Sequence, residues 1–98
     1  MIDKRKFYIN GQWVSPSKPN DYEVINPSTE EAFATISLGS TEDTNAAVSA
    51  AKKALVSWSE SSKDERLNLL EKLLSIYKKR YGEMADAISM EMGAPMDW

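Results

Sequence analysis

A chain of 98 residues with 42% hydrophobic residues, 12 Lys and Arg against 15 Asp and Glu, and a net charge of -3 has the size and make-up of one small globular segment. The acidic balance offers nothing to nucleic-acid phosphates or anionic lipid, and no apolar run approaches the roughly 20 residues of a membrane span. With no cysteine and no histidine, the chain has no disulfide, no zinc thiolate site, no thiol nucleophile and none of the commonest general bases.

Lys4-Arg5-Lys6 sits at the extreme amino terminus and reads as a solvated tail. The first apolar stretch, Phe7 to Ile9, is far too short for a signal-peptide core, so the expected location is the cytoplasm. Residues 7–14 form two β-prone runs around Asn10-Gly11, the dipeptide that best tolerates the positive φ angles of a type I′ turn, and predict a β-hairpin. Two prolines and small polar residues make 15–21 a surface loop. A third strand starts near Tyr22 and runs through Val24 and Ile25 to Asn26-Pro27, where the missing amide hydrogen stops a central ladder. After a turn over 26–31, residues 32–38 give a fourth strand ended by Gly39.

From Ser40 the period lengthens. Ser40 with Asp43 resembles a capping box, although Asp reaches back less well than the usual Glu, and Ala47, Val48, Ala51, Leu55 and Trp58 then follow on one helical stripe. Full burial of Leu55 or Trp58 contributes roughly 2–3 kcal/mol each. Ser62 and Glu65 form what reads as the better capping box of a second helix, with Leu67, Leu70, Leu74, Tyr77 and Tyr81 on one stripe and Leu69, Leu73 and Ile76 widening it. So broad a face predicts burial within something larger. Gly82 bends or breaks the helix, leaving a continuation or a short third helix equally open, and Gly93 and Pro95 mark its end, just before Trp98. The segment is thus expected to be α+β, with two antiparallel strand pairs followed by two or three helices.

Chemistry-bearing motifs are scarce. The four glycines lie at 11, 39, 82 and 93, too far apart to cradle a phosphate, so no cofactor-binding residue is assigned. Glu30-Glu31 and Glu42-Asp43 are explained by a turn face and a helix N-terminus, and no catalytic residue is assigned. Met84, Met90, Met92 and Met96 read as packing residues, as do Tyr77 and Tyr81, while Trp13 reads as a cross-strand partner.

Five pieces in register carry a resemblance: residues 7–14 (Phe-Tyr-Ile-Asn-Gly-Gln-Trp-Val), 24–31 (Val-Ile-Asn-Pro-Ser-Thr-Glu-Glu), 39–43 (Gly-Ser-Thr-Glu-Asp), 50–54 (Ala-Ala-Lys-Lys-Ala) and 91–95 (Glu-Met-Gly-Ala-Pro). Together they resemble the opening of an NAD(P)-dependent aldehyde dehydrogenase. The resemblance implies a parent enzyme of α/β type with a Rossmann-like domain for NAD or NADP, of which residues 1–98 are the amino-terminal part, the catalytic and oligomerisation domains being absent. It implies an aldehyde substrate, a cysteine thiolate that forms a thiohemiacetal, hydride transfer to the nicotinamide, and a glutamate-activated water that releases the acid, usually in a homo-oligomer. It also implies a monovalent cation beside the strand before Asn26-Pro27, with the backbone carbonyl of Ile25 as a metal ligand and the others beyond Trp98. Many relatives have Thr-Gly-Glu where this chain has Thr29-Glu30-Glu31, a lost glycine that predicts a less tight turn. The alternative from a different class is a non-catalytic interaction or structural module built on the helical face 62–92.

Overall fold

The computed structural model describes residues 1–97, so that Trp98 lies outside the described residues. Five strands, β1 (Ile2–Lys4), β2 (Phe7–Ile9), β3 (Gln12–Val14), β4 (Asp21–Asn26) and β5 (Glu31–Ser37), precede three helices, α1 (Thr41–Trp58), α2 (Lys63–Lys79) and α3 (Tyr81–Met92). The segment is α+β, with the two antiparallel pairs that its patterning implies. Asn10 (φ 54°) and Gly11 (φ 74°) both take the left-handed conformation that joins β2 to β3, and Tyr8 stands directly opposite Trp13, the rings meeting edge to face at 5.1 Å. β4 and β5 pair antiparallel in a separate sheet of order β1-β5-β4.

β1 corrects the reading of the amino terminus as a tail. Ile2, Asp3 and Lys4 lie parallel to Ala34, Thr35 and Ile36 of β5. Arg5 fastens this strand, its guanidinium binding both Asp3 oxygens at 2.9 Å and reaching Asp21 on β4 at 3.4 Å. Carboxylates on the two strands that flank β5 give Arg5 a structural task in place of solvation.

The capping boxes are ranked opposite to expectation. Ser40 accepts from the Asp43 N–H while the Asp43 carboxylate accepts from the Ser40 N–H at 3.0 Å, completing the box. The short carboxylate succeeds because its other oxygen is anchored by the Ser17 N–H, also at 3.0 Å, which staples the 15–21 loop to α1. At Ser62 the bond runs one way, from the Glu65 N–H to the Ser62 hydroxyl at 3.1 Å. The break between α2 and α3 falls at Arg80 (φ -102°, ψ 14°), whose N–H is shared between the Ile76 and Tyr77 carbonyls, and Gly82 lies in the first turn of α3. A separate third helix is therefore the outcome.

Little of the apolar surface is covered. Among the described residues only Ala34 and Ser37, both on β5, are buried. Leu55 (58% exposed) and Trp58 (44%) do not reach the burial that their stripe on α1 predicts, because among the described strands and helices α1 packs against β2 alone and none of them forms a second layer on its apolar face. The accessible surface is 8275 Å² for an 11.0 kDa chain, where a self-contained monomer exposes about 5,600 Å², an excess of roughly 2,700 Å². The radius of gyration is 17.1 Å, against about 13 Å for a compact body of this length. With extents of 49 × 36 × 15 Å the molecule is a plate about one layer of secondary structure thick.

Candidate functional site

Two of the motif pieces meet in space. In the turn after β4 the Asn26 side chain accepts from the Ser28 N–H at 2.9 Å, and the Asn26 carbonyl accepts from the Glu30 N–H at 2.8 Å. Glu30 takes φ 60°, so the turn closes without its glycine and the side-chain-bearing residue carries the left-handed conformation. Against this turn lies the end of α3. Gly93 has φ 75°, and a Cβ placed there would approach Pro27 Cγ at 3.2 Å. Both the backbone angle and the close approach call for glycine.

Ile25 lies on β4 beside an irregularity: Val24 faces Ala34 and Ile25 faces Ala32, leaving Phe33 as the extra residue of a bulge. A bulge frees backbone groups from the ladder, and a carbonyl oxygen is the hard donor that an alkali cation takes. Among the described residues no three Asp, Glu, His or Cys side chains gather to complete such a site. A backbone carbonyl such as that of Ile25 has the donor chemistry for one ligand of such a site.

The ionisable groups form surface clasps. Hydrogen bonds from the Arg5 side chain, then from its backbone N–H, pull the Asp3 carboxyl down to about 2, and Asp3 holds the Arg5 guanidinium above its usual range. Asp43 is lowered by the Ser40 N–H and next by the Ser17 N–H. Glu83 is lowered by its two hydrogen bonds with Arg80, at 3.0 and 3.3 Å. These shifts favour ionised carboxylates, the opposite of what a general acid needs, and none of the described carboxylates is buried. Glu42 and Asp43 occupy the first turn of α1, while Glu30 and Glu31 lie at the entry to β5, as the turn and helix-end reading requires.

Two grooves on the helical side are largely apolar, whereas the hollows along the strands and the start of α1 are lined by polar and charged side chains, among them Asp3, Arg5, Asp21, Glu42 and Lys53. At the junction of α2 and α3, a groove of about 330 Å³ lies between Leu73, Ile76, Tyr77, Met84 and Ala87. Another, of about 320 Å³, lies between Tyr77, Tyr81, Met84, Ile88, Met92 and Met96. Tyr77 and Tyr81 meet edge to face at 5.9 Å. These surfaces have the character of packing faces, as the sequence places them. Sequence reasoning missed the Arg5–Asp21 arm of the clasp and the Ser17 staple, which join residues 16 and 26 apart along the chain.

A sequence model of the aldehyde dehydrogenase family matches residues 13–98. The chain belongs to this family. An aldehyde dehydrogenase from Bartonella henselae superposes with a TM-score of 0.98 at 61% identity, over 99% of this chain and 20% of that one. Aldehyde dehydrogenase C from Pseudomonas syringae, solved as a mutant with NAD+ and octanal, superposes with a TM-score of 0.92 at 40% identity, over 94% of this chain and 19% of that one. The 3-succinoylsemialdehyde-pyridine dehydrogenase of a Pseudomonas species is 49% identical over 96 residues, which are 98% of this chain and 20% of the relative. The chain therefore spans about a fifth of the length of the aldehyde dehydrogenases it matches. Among the described residues no helix is long and apolar enough to cross a membrane.

Proposed function

We propose that this chain is the amino-terminal part of the NAD(P)-binding domain of an aldehyde dehydrogenase, a cytoplasmic homo-oligomer that oxidises an aldehyde to a carboxylic acid. The observation that carries the reading is the match to one fifth of full-length enzymes by a plate with roughly 2,700 Å² of surplus surface, an excess suited to covering by the rest of such an enzyme. A self-contained interaction module built on residues 62–92 fits this plate less well, because a stable module buries a core of its own.

NAD(P), when bound, accepts the hydride. This chain brings no glycine-rich loop to its phosphates and no cysteine to the aldehyde, so its residues serve the reaction by building the scaffold. The convergence of Pro27 and Gly93 fixes the strand layer against α3, and the Ile25 carbonyl would be the residue group to hold a monovalent cation there, as one ligand among others. A direct test is to graft these 98 residues in place of the matching opening fifth of the Bartonella henselae enzyme. A folded graft that forms NADH on addition of an aldehyde is expected, and a folded graft without turnover would overturn the reading.

A further inference from the structure

The five asparagines of the chain stand in different settings, and one of them is open to a reaction that the others resist. An asparagine side chain can be attacked at Cγ by the backbone nitrogen of the next residue. The new C–N bond closes a five-membered succinimide as ammonia leaves, and water then opens the ring at either carbonyl. The product is aspartate, or isoaspartate with the main chain rerouted through Cβ. In sum, asparagine and water give an aspartyl residue and ammonia, with no change of oxidation state. We propose that Asn10–Gly11 is the site of this self-modification, and that opening of the β2–β3 hairpin sets its rate.

Asn10 meets the chemical requirements. Both it and Gly11 are exposed. No heavy atom lies within 4 Å of where a Gly11 Cβ would stand, which leaves room for the ring, and among the described residues the Gly11 N–H enters no backbone hydrogen bond. The other four asparagines are restrained. Pro27 follows Asn26 and has no N–H to give up, while the Asn26 side chain already holds the Ser28 N–H at 2.9 Å. Asn45 and Asn68 lie inside α1 and α2, where the next N–H is spent in the helix ladder. Asn20 is pinned through its N–H, which donates to Ser37 Oγ at 3.3 Å, and through its carbonyl, which accepts from the Leu38 N–H at 2.9 Å.

The closed turn withholds the reaction. Asn10 at φ 54° and Gly11 at φ 74° match a type I′ turn, the mirror image of type I, which sets ψ of the first central residue at about +30°. Ring closure needs the Gly11 nitrogen on the same side as the Asn10 Cβ, and at this positive ψ it points away. The hairpin therefore has to open first. It has three residues in each strand, forms a sheet of its own and meets α1 through β2. A two-stranded hairpin of this kind holds by a narrow margin. Isoaspartate then keeps it open, because an added main-chain carbon lengthens the two-residue connection that pairs Ile9 with Gln12.

The test incubates the native polypeptide that carries these residues in water labelled with heavy oxygen, at mildly alkaline pH, with and without denaturing urea, and maps its peptides by mass spectrometry. Label entering at Asn10 ahead of the other four asparagines, as both aspartyl isomers, is expected, at a rate about tenfold or more higher in urea. Trp13→Ala removes the aromatic partner of Tyr8, 5.1 Å away, and should speed the reaction without urea about threefold or more. Asn10→Gly suits the same turn and should leave this peptide unlabelled. Label appearing first at Asn20, Asn45 or Asn68 would overturn the choice of site. Equal rates with and without urea, or a rate unmoved by Trp13→Ala, would overturn control by the hairpin, and an Asn10 that stays unlabelled in both conditions would overturn the whole inference.

Discussion

Replacing Glu30 by glycine should stabilise the β4–β5 hairpin. Glu30 sits at φ 60° in the turn that Asn26 closes, a conformation that costs a residue with a Cβ roughly 1–2 kcal/mol. Glycine removes that cost but loses about 0.5–1 kcal/mol through the greater freedom of its unfolded chain. The bond from residue 30 N–H to the Asn26 carbonyl at 2.8 Å is a backbone bond and survives the change. The side chain makes no bond that would be lost among those closing the turn. The net gain is therefore about 0.5–1 kcal/mol, which in urea, at roughly 1 kcal/mol per molar for a small chain, moves the midpoint up by about 0.5–1 M. Amide signals of β5 followed by NMR through a urea titration read this locally. Glu30→Ala keeps the strained angle and serves as the control, with a midpoint no higher than that of the parent. A glycine variant whose midpoint stays level or falls would refute the strain argument.

Other outcomes follow from the same bonds. Gly93→Ala adds a Cβ at φ 75° only 3.2 Å from Pro27 Cγ, so it should cost about 1–2 kcal/mol and loosen α3 from the Asn26-Pro27 turn, visible as faster amide exchange at Ser89 to Gly93. Because the folded state depresses the Asp3 carboxyl to about 2, its contribution is complete above the ordinary carboxylate value near 4 and is lost as pH falls through about 2. The Arg5 amide, hydrogen-bonded to Asp3 at 3.2 Å, should shift over that window, and Asp3→Asn should abolish the shift. Asp43→Ala should release the Ser17 loop and fray the start of α1 together, seen as loss of amide protection at Ser17 and Ser40; protection lost at only one would refute a shared anchor. The chain by itself should form no NADH from any aldehyde and NAD(P), and measurable turnover would refute the scaffold role.

The strands and helices with local signals were legible along the chain. Asn10-Gly11 dictates its turn through φ alone, and Ser40, Ser62 and Gly93 mark helix ends through bonds made within four residues. β1 was not legible, because Ile2, Asp3 and Lys4 have no pattern of their own and gain strand geometry only from Ala34 to Ile36, some thirty residues later. The strength of the Ser40 box was hidden for the same reason: Ser17, outside any local window, anchors the second oxygen of Asp43. On α1 the spacing of Leu55 and Trp58 correctly named an apolar stripe, yet periodicity says which face is apolar and not whether anything covers it. Pro27 and Gly93 were each recognisable alone, while their contact exists only in the folded plate. The proposed cation ligand carries the least local signal, since a backbone carbonyl such as that of Ile25 leaves no side-chain mark in a sequence; it stands on the resemblance alone.

The most direct test of the scaffold account is the size and thiol content of the native polypeptide, read by intact-mass spectrometry before and after alkylation with iodoacetamide. A chain about five times as long as these 98 residues, alkylated at a reactive cysteine that aldehyde and cofactor protect, is the predicted result. A native chain of 11.0 kDa that takes up no label would contradict it.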